Sequence, residues 1–235
     1  MKIEIVSTFS PSYYNRIAKF FVESCATYLS PSVKLKLYVD DVNIIHKEKF
    51  EVINLEETVS DLKKFKERNK HRPQNDWRHA AITFSHKVYA TWHAAMNTDA
   101  DILIWLDADT ELHNRIDEQY LCKFLPSGID VGYLGRKRAA ETGFVIFNMN
   151  DNTKLFLNTY KEYYDTDKIF DLKEWHDGYV FDYVRKEQEK IGKLTSSNIS
   201  PPEVRKSHFN FLHKGYMTHY KGDDKDQRET KFKKK

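Results

Sequence analysis

Two Asp-Ala-Asp sequences flank the same hydrophobic segment, ILIWL, near the middle of the chain. Asp99 and Asp101 precede the segment, and Asp107 and Asp109 follow it. Residues two apart in an extended chain point to the same side, so either pair could present carboxylate oxygens to one cation. Because ligands bind at the carboxyl ends of strands in open α/β sheets, we expect the second pair to form a site and the first to be solvated.

The second pair offers the chemistry of a divalent-cation site. Carboxylate oxygens are hard ligands that suit Mn²⁺ or Mg²⁺, and these ions also coordinate phosphate oxygens. A cation held by Asp107 and Asp109 would neutralise a diphosphate as it leaves. The alternative interpretation is that the acidic pair only terminates a strand.

The elements that must position this pair alternate between strands and helices. The apolar pattern of strands is found in KIEIVSTF, VKLKLYVD, FEVINLE, DILIWLD, DVGYLG and TGFVIFNM. Helical spacing is found in SYYNRIAKFFVESCATYL, SDLKKFKERNK, residues 77–96, TKLFLNTYKEYY and HDGYVFDYVRKEQEK. This order predicts an α/β fold with a mainly parallel sheet flanked by helices. We expect residues 1–225 to form a single domain that ends in a loop-like stretch, and the basic residues 226–235 to form a flexible tail.

Composition argues against several other classes of protein. The 235 residues have a formal net charge of only +3, which is too small to indicate a nucleic-acid-binding protein. No stretch approaches the ~18 consecutive apolar residues of a membrane span, and MKIEIVSTFS has the pattern of a strand rather than of a signal peptide. Cys25 and Cys122 lie far apart in helical patterns and are expected to be reduced thiols. Together these features predict a cytoplasmic protein.

An amino-terminal α/β half that leads to hhhhDxD, where h is hydrophobic, resembles the glycosyltransferases of the GT-A fold. Two further segments are similar to motifs of the family-8-like (glycogenin-like) members. ETGFVIFNMN resembles their N-[SA]-G-hhhhN strand, with Gly143 matched, Glu141 in the place of Asn and Thr142 in the place of Ser or Ala. HYKGDDK, which begins at His219, resembles their H-[FY]-x-G-x-x-K motif, although the Pro-Trp that usually follows is lacking.

The resemblance implies three kinds of contact for the matched residues. Metal ligation falls to Asp107, Asp109 and His219. Contacts with the donor nucleotide and its phosphates fall to Ala108, Gly222 and Lys225. Contacts with the donor sugar and the acceptor fall to Glu141, Thr142 and Gly143. The chemistry is consistent, because a neutral imidazole is a good metal ligand and an ammonium group stabilises a departing diphosphate.

Further candidates for donor contacts lie at the ends of the first two strands and on the long helix. In the family, the position of Thr8 and Phe9 touches the nucleobase, and Asp40 could accept a hydrogen bond from a base N–H. Lys87 lies on the polar face of the helix before DILIWLD, where similar enzymes place an Arg or Lys near the nucleotide. Turn chemistry and a solvated lysine are the alternative interpretations.

The segment from Glu174 to Asp177 is the candidate acceptor site. In GT-A enzymes an acidic residue at this place often contacts the acceptor, and in an inverting enzyme it is the general base. Asp177 is the first candidate for this role and Glu174 the second, and Trp175 could stack on a sugar. The alternatives are that Asp177 is only the N-cap of a helix and that Trp175 belongs to the core.

The sequence therefore predicts a metal-dependent glycosyltransferase that moves a sugar from a nucleoside-diphosphate sugar, with UDP as the expected nucleotide, to a hydroxyl acceptor. Two alternatives stay open. A sugar nucleotidyltransferase usually carries a glycine-rich loop after the first strand, and VSTFSPSYYN contains no glycine. A degenerate GT-A domain would only bind a sugar or a partner. Haloacid-dehalogenase-like phosphatases also carry D-x-D, but on an early strand and with Thr or Val where this chain has Glu111.

Overall fold

The computed structural model describes residues 1–201, 208–226 and 228. Within this part of the chain the strands are β1 (Ile3–Phe9), β2 (Val33–Val39), β3 (Glu51–Asn54), β4 (Ile102–Leu106), β5 (Thr110–Leu112), β6 (Val131–Leu134), β7 (Glu141–Asn148), β8 (Ser196–Asn198) and β9 (Met217–His219). The central sheet has the strand order β3-β2-β1-β4-β7-β6-β8. A second, small sheet consists of β5 and β9.

The central sheet is mainly parallel, as the sequence predicts. β1 pairs in parallel with both β2 and β4, β2 with β3, and β6 with β8. Only β7 among these described strands runs antiparallel to its neighbours, β4 and β6. The short connection 135–140 between β6 and β7 explains this direction, because parallel neighbours need a long crossover.

The helices are α1 (Pro11–Tyr13), α2 (Lys19–Tyr28), α3 (Leu55–Thr58), α4 (Ser60–Asn69), α5 (Ala81–Met96), α6 (Glu118–Cys122), α7 (Asp151–Asp165), α8 (Asp177–Lys190) and α9 (His208–Leu212). One face of the central sheet packs against α4, α5, α7 and α8, and the other packs against α2 and α6. Successive residues of β4 alternate between these two apolar layers, with Trp105 in the first and Ile104 in the second. A strand buried on both faces reads as a continuous apolar run, which is why ILIWL is the clearest strand signal.

The helix predicted over residues 77–96 begins later than expected. α5 begins at Ala81, and Trp77–His79 form a separate 3-10 turn capped by Asp76, whose side chain accepts a hydrogen bond from the Arg78 N–H. Ala80 has φ −83° and ψ 57°, which is not a helical conformation. Trp77 therefore belongs to this turn and not to α5.

The stretch after residue 201, predicted as a loop, contains α9 and β9 where it is described. β9 depends on pairing with β5, which is distant in sequence, so neither short strand has a periodic pattern of its own. Of the tail 226–235, only Asp226 and Arg228 are described, so its predicted flexibility lies outside the described residues. No helix in the described ranges is long and apolar enough to cross a membrane.

Candidate active site

The carboxyl end of β4 carries the two aspartates, and other elements bring side chains to them. Asp107 and Asp109 follow β4, and the antiparallel pairing of β5 with β9 places His219 beside this segment. Because β7 runs against β4, its first residues lie at the same edge of the sheet. The Asp107 N–H donates to the carbonyl of Gly143 over 2.9 Å. Segments far apart in sequence thus meet at one strand end.

Asp107, Asp109 and His219 form a group that could hold one metal ion. One ligand atom of each residue lies within 4.8 Å of the others. His219 Nε2 lies 2.9 Å from Asp109 Oδ1 and 3.6 Å from Asp107 Oδ2. Carboxylate oxygens suit Mn²⁺ and Mg²⁺, and an imidazole nitrogen is a common further ligand. The residues present therefore fit the ion that the sequence predicts.

The charges around this group are tightly coupled. Burial lowers the pKa of His219, but Asp109, Glu141 and Asp107 outweigh it and raise that pKa to about 9. Burial raises the pKa of Asp109, but His219 and Lys225 outweigh it and hold that pKa well below its usual range. Because a metal binds the neutral imidazole, ligation at His219 would release a proton.

Gly143 leaves the space that the His219 ring occupies. A Cβ added to Gly143 would lie 2.6 Å from Cε1 and 2.8 Å from Nδ1 of His219. It would also lie 3.3 Å from Oδ2 of Asp107. The resemblance assigns this glycine to sugar contacts, which stay a prediction. In the structure Gly143 also makes room for His219, because any side chain here would push the imidazole away from the aspartates.

Glu141 lies behind the metal-binding group. Its side chain is only 1% exposed, and it forms ion pairs with Lys221 and Arg136. It also accepts a hydrogen bond from the His208 N–H over 3.1 Å, and its Oε1 lies 3.7 Å from His219 Nδ1. Glu141 therefore ties the segment that begins at His208 to the start of β7. Its predicted contact with substrate stays a prediction.

Lys225 reaches Asp109 from the end of the described chain. Its Nζ lies 2.6 Å from Asp109 Oδ2 and donates to the Tyr13 hydroxyl, which in turn donates to the same carboxylate oxygen. Gly222 has φ +51°, a left-handed conformation that glycine adopts at little cost, and its carbonyl accepts from the Lys225 N–H. Ala108 is buried between the two aspartates.

Lys87 joins the metal-binding group to the candidate acceptor site. Its Nζ lies 3.0 Å from Asp107 Oδ1 and 2.8 Å from Asp177 Oδ2, and it also donates to the carbonyl of Thr142. The Thr142 hydroxyl donates to the same oxygen of Asp177. Burial lowers the pKa of Lys87, but the two aspartates outweigh it and raise that pKa. Lys87 is therefore a paired, buried cation rather than a solvated helix residue.

Two residues of the site were not found from the sequence. Tyr13 donates to Asp109 over 2.9 Å, and the Trp105 indole N–H donates to Asp107 Oδ1 over 2.6 Å. Tyr13 lies just after the carboxyl end of β1, so the rule that ligands bind at strand ends could have selected it. Trp105 gave no signal, because an apolar strand residue is expected to serve the core.

The predicted nucleobase contacts lie at the ends of β1 and β2. Thr8 donates to the carbonyl of Tyr38, Asp40 accepts from the Glu56 N–H over 2.8 Å, and the Phe9 ring stacks on another aromatic ring. These hydrogen bonds serve the edge of the sheet itself. Base recognition by Thr8, Phe9 and Asp40 stays a prediction.

The candidate acceptor segment is firmly packed. His176, not Asp177, is the N-cap of α8, because its Nδ1 accepts from the Tyr179 N–H. The alternative that Asp177 is only a cap is therefore wrong. Glu174 pairs with Arg138 and lies 3.1 Å from His176 Nε2. The Trp175 indole N–H donates to a carbonyl, and its ring packs edge-on against two others at 4.9 and 5.0 Å.

No protein-family model matches the sequence, and no curated protein matches it. Two solved structures resemble the fold over most of its length. Mouse xyloside xylosyltransferase 1 has a TM-score of 0.52 and 10% identity, with 84% of each chain covered. A glycosyltransferase involved in the glycosylation of the major capsid of PBCV-1 has a TM-score of 0.51 and 11% identity, with 98% of this chain and 100% of that chain covered. The chain has the GT-A fold.

The predicted fold class is thereby confirmed. In this GT-A fold, the acidic pair after β4 and the start of β7 lie at the same edge of the sheet. Identities of 10% and 11% establish a shared fold and no more. The reaction has to be derived from the side chains at that edge.

Proposed function

We propose that the protein is a metal-dependent glycosyltransferase that moves a sugar from a nucleoside-diphosphate sugar, expected to be UDP-linked, to a hydroxyl acceptor. The observation that carries this proposal is the convergence of Asp107, Asp109 and His219, with one ligand atom of each within 4.8 Å of the others. These three residues would hold Mn²⁺ or Mg²⁺. A bound ion of this kind supplies a Lewis acid that neutralises the diphosphate as the bond to the sugar breaks.

Two lysines supply further positive charge around the same position. Lys225 contacts Asp109 from one side, and Lys87 contacts Asp107 from the other. Ammonium groups placed where charge develops stabilise the departing diphosphate without reorganisation during the reaction. Lys225, in the segment after β9, suits contact with the diphosphate. Lys87 is held between two carboxylates and suits contact with the donor sugar or its nearest phosphate.

Asp177 is better suited to positioning than to general base catalysis. Its carboxylate is buried and accepts from both Lys87 and Thr142. Burial raises its pKa, but Lys87 and Thr142 outweigh it and hold that pKa below its usual range. A carboxylate stabilised in this way takes up a proton poorly. Glu174 is held similarly by Arg138 and His176. We propose that Asp177 orients the reacting hydroxyl or the donor sugar, as in a retaining enzyme.

A thermal-shift panel tests the proposed function. The purified protein is heated with nucleoside diphosphates, with nucleotide-sugars, and with UTP plus a sugar phosphate, each with and without Mn²⁺. A ligand that binds only the folded state at a hundred times its dissociation constant stabilises it by ~2.7 kcal/mol. We expect a Mn²⁺-dependent rise in melting temperature with UDP and one UDP-sugar. We also expect the protein to hydrolyse that UDP-sugar slowly to UDP and free sugar. Binding of UTP with a sugar phosphate instead would indicate a nucleotidyltransferase. Binding without turnover would indicate a degenerate domain.

The anomeric configuration of the product tests the role of Asp177. Retention of the donor configuration, followed by NMR, is expected for an Asp177 that orients groups. Inversion would require a general base and would contradict the role proposed here.

We also place the enzyme in the cytoplasm, since Cys25 and Cys122 are free thiols.

A further inference from the structure

Trp77 is an exposed aromatic residue beside the candidate acceptor segment. Trp77 is 55% exposed, although large apolar residues are normally buried. The centroid of its ring lies 4.9 Å from that of His176. His176 caps α8 and immediately precedes Asp177, whose carboxylate contacts Lys87. An exposed indole thus packs against His176, the residue that precedes Asp177 in the chain.

The backbone holds this indole in a fixed position. Asp76 caps the 3-10 turn that contains Trp77, and its second oxygen lies 2.8 Å from Nδ1 of His79. The carbonyl of Arg78 accepts a hydrogen bond from the backbone N–H of Trp175 over 2.7 Å, and this bond joins the turn to the acceptor segment. A pre-organised aromatic surface loses little conformational freedom when a ligand covers it. The turn is therefore held by hydrogen bonds at both of its ends.

A guanidinium group lies beside the indole. The guanidinium carbon of Arg78 lies 5.1 Å from the centroid of the Trp77 ring. The Arg78 Nε is buried and has no hydrogen-bond partner in the described part of the chain. Because that nitrogen is buried, a ligand beside the indole would accept from the terminal N–H groups of the guanidinium instead.

An aromatic face bordered by hydrogen-bond donors matches the chemistry of a saccharide. A pyranose ring presents a flat patch of C–H groups on one face and hydroxyl groups around its edge. The C–H groups carry partial positive charge and are attracted to the negative face of an indole. The hydroxyl oxygens can accept from guanidinium N–H groups. A protein or lipid hydroxyl acceptor would not need this combination.

We propose that Trp77 forms the acceptor subsite and that the acceptor is a saccharide, whose ring lies on the indole with a hydroxyl directed toward Asp177. This inference rests on the proposed transferase function and specifies its acceptor. It also moves the stacking role from Trp175 to Trp77. Trp175 is partly buried, with its indole N–H occupied by a carbonyl, whereas Trp77 is exposed.

Saturation-transfer NMR tests this subsite without requiring turnover. The probes are methyl α- and β-glycosides of glucose, galactose and xylose, added to the protein with UDP and Mn²⁺. We expect at least one glycoside to bind the wild type and Trp77→Ala to weaken it about tenfold, the effect of losing an aromatic anchor. Trp77→Phe should retain most of the affinity. Phe211→Ala, which removes a similarly exposed ring on α9, should leave it unchanged.

Calorimetry of UDP with Mn²⁺ separates the possible failures. If the wild type binds UDP but no glycoside, or if Trp77→Ala binds the glycoside as tightly as the wild type, the saccharide subsite is overturned and the transferase function is not. If the wild type binds no nucleotide, the proposed function is overturned and this inference with it. A melting temperature for each variant excludes a loss of affinity through unfolding.

Discussion

The two Asp-Ala-Asp sequences are identical in composition and spacing, but they form opposite environments at the two ends of β4. At the amino end, the Asp99 side chain is 64% exposed and pairs with Lys2 and Lys34, both at the surface. At the carboxyl end, the Asp109 side chain is 7% exposed and contacts His219 and Lys225. The same three letters therefore give a solvated turn in one place and a buried charge cluster in the other.

The difference arises from the elements that converge on each end. Lys2 and Lys34, at the starts of β1 and β2, pair with Asp99 at the amino end. The carboxyl-end pair receives side chains from α5, from β9 and from the segments after β1 and β9, and the start of β7 contributes the Gly143 carbonyl. Exposed ion pairs contribute little to stability or recognition because water screens them. Buried charges interact strongly, and they need partners to be buried at all. A short acidic motif thus acquires chemistry from its neighbours rather than from its own residues.

The largest expected effect is the difference in Mn²⁺ affinity between two variants, each of which removes one carboxylate from one of the pairs. Asp109→Asn should weaken Mn²⁺ binding by about 100-fold or more, because removing a ligand costs at least as much as removing a residue that orients one. Asp101→Asn is the matched control at the other end of β4 and should change the affinity less than about twofold. Free Mn²⁺ measured by electron paramagnetic resonance reports both affinities. Equal affinity in the two variants would remove the distinction between the pairs.

A methyl group at Gly143 should disturb the carboxyl-end site without removing any ligand. Its Cβ would meet the His219 ring at 2.6 Å, so the ring must shift from the aspartates. We expect Gly143→Ala to weaken Mn²⁺ binding about 10- to 100-fold.

Gly132→Ala is the control for Gly143→Ala, because its Cβ would also be crowded, at 2.7 Å from Ile146 Cγ2 and 2.9 Å from the Phe124 carbonyl. This variant should lower the melting temperature but leave Mn²⁺ affinity unchanged. If both variants lose metal binding equally, general destabilisation and not the position of His219 is the cause.

A change at Glu141 should weaken Mn²⁺ binding less, because Glu141 contacts the His219 ring and is not itself a proposed ligand. Glu141→Gln removes the charge that faces His219 Nδ1 and pairs with Lys221, so we expect about tenfold weaker Mn²⁺ binding. Glu111→Gln is the control. Glu111 holds the same carboxyl-terminal segment, but it does so through Arg228 and Tyr220 rather than through the His219 ring. If the two variants behave alike, Glu141 only docks the segment and does not orient the imidazole.

Much of this comparison could be predicted from the sequence, because it depends on local patterns. The apolar run ILIWL is buried on both faces, so it gives a clear strand with a defined carboxyl end. That end alone distinguishes Asp107 and Asp109 from the first pair. Helical spacing places Lys87 on the polar face of its helix, and the resemblance to the family selects both Lys87 and His219.

The remainder could not be predicted because it depends on contacts between distant segments. β5 and β9 have three residues each and form only by pairing with each other, and this pairing is what brings His219 to Asp109. The role of Glu141 depends on β7 being antiparallel, which places the start of that strand at the site. Trp77 was assigned to a helix, because helical spacing continues through a turn that Asp76 and Ala80 break.

The smallest effect on the metal-binding group is expected from His213, which anchors the segment between α9 and β9 and is not one of the proposed ligands. His213 follows α9 and is fully buried among Phe124, Phe144 and Phe209, with its Nδ1 2.8 Å from the Tyr120 hydroxyl. Burial lowers the pKa of His213 to about 3. The facing titratable group, Tyr120, is neutral in acid even at an ordinary tyrosine pKa of about 10, and burial raises its pKa further.

Acid should therefore loosen the partners of the carboxyl-end pair. In the unfolded chain His213 takes up a proton below its ordinary pKa of 6.5, whereas in the folded chain it does so only near pH 3. The folded state is favoured fully above pH 6.5, and His213 removes up to ~1.4 kcal/mol of stability per pH unit as the pH falls from there toward 3. Chemical denaturation of the wild type and of His213→Gln at several pH values measures this slope. We expect a shallower slope in the variant, because glutamine does not titrate, whereas parallel slopes would mean that His213 is already protonated in the fold.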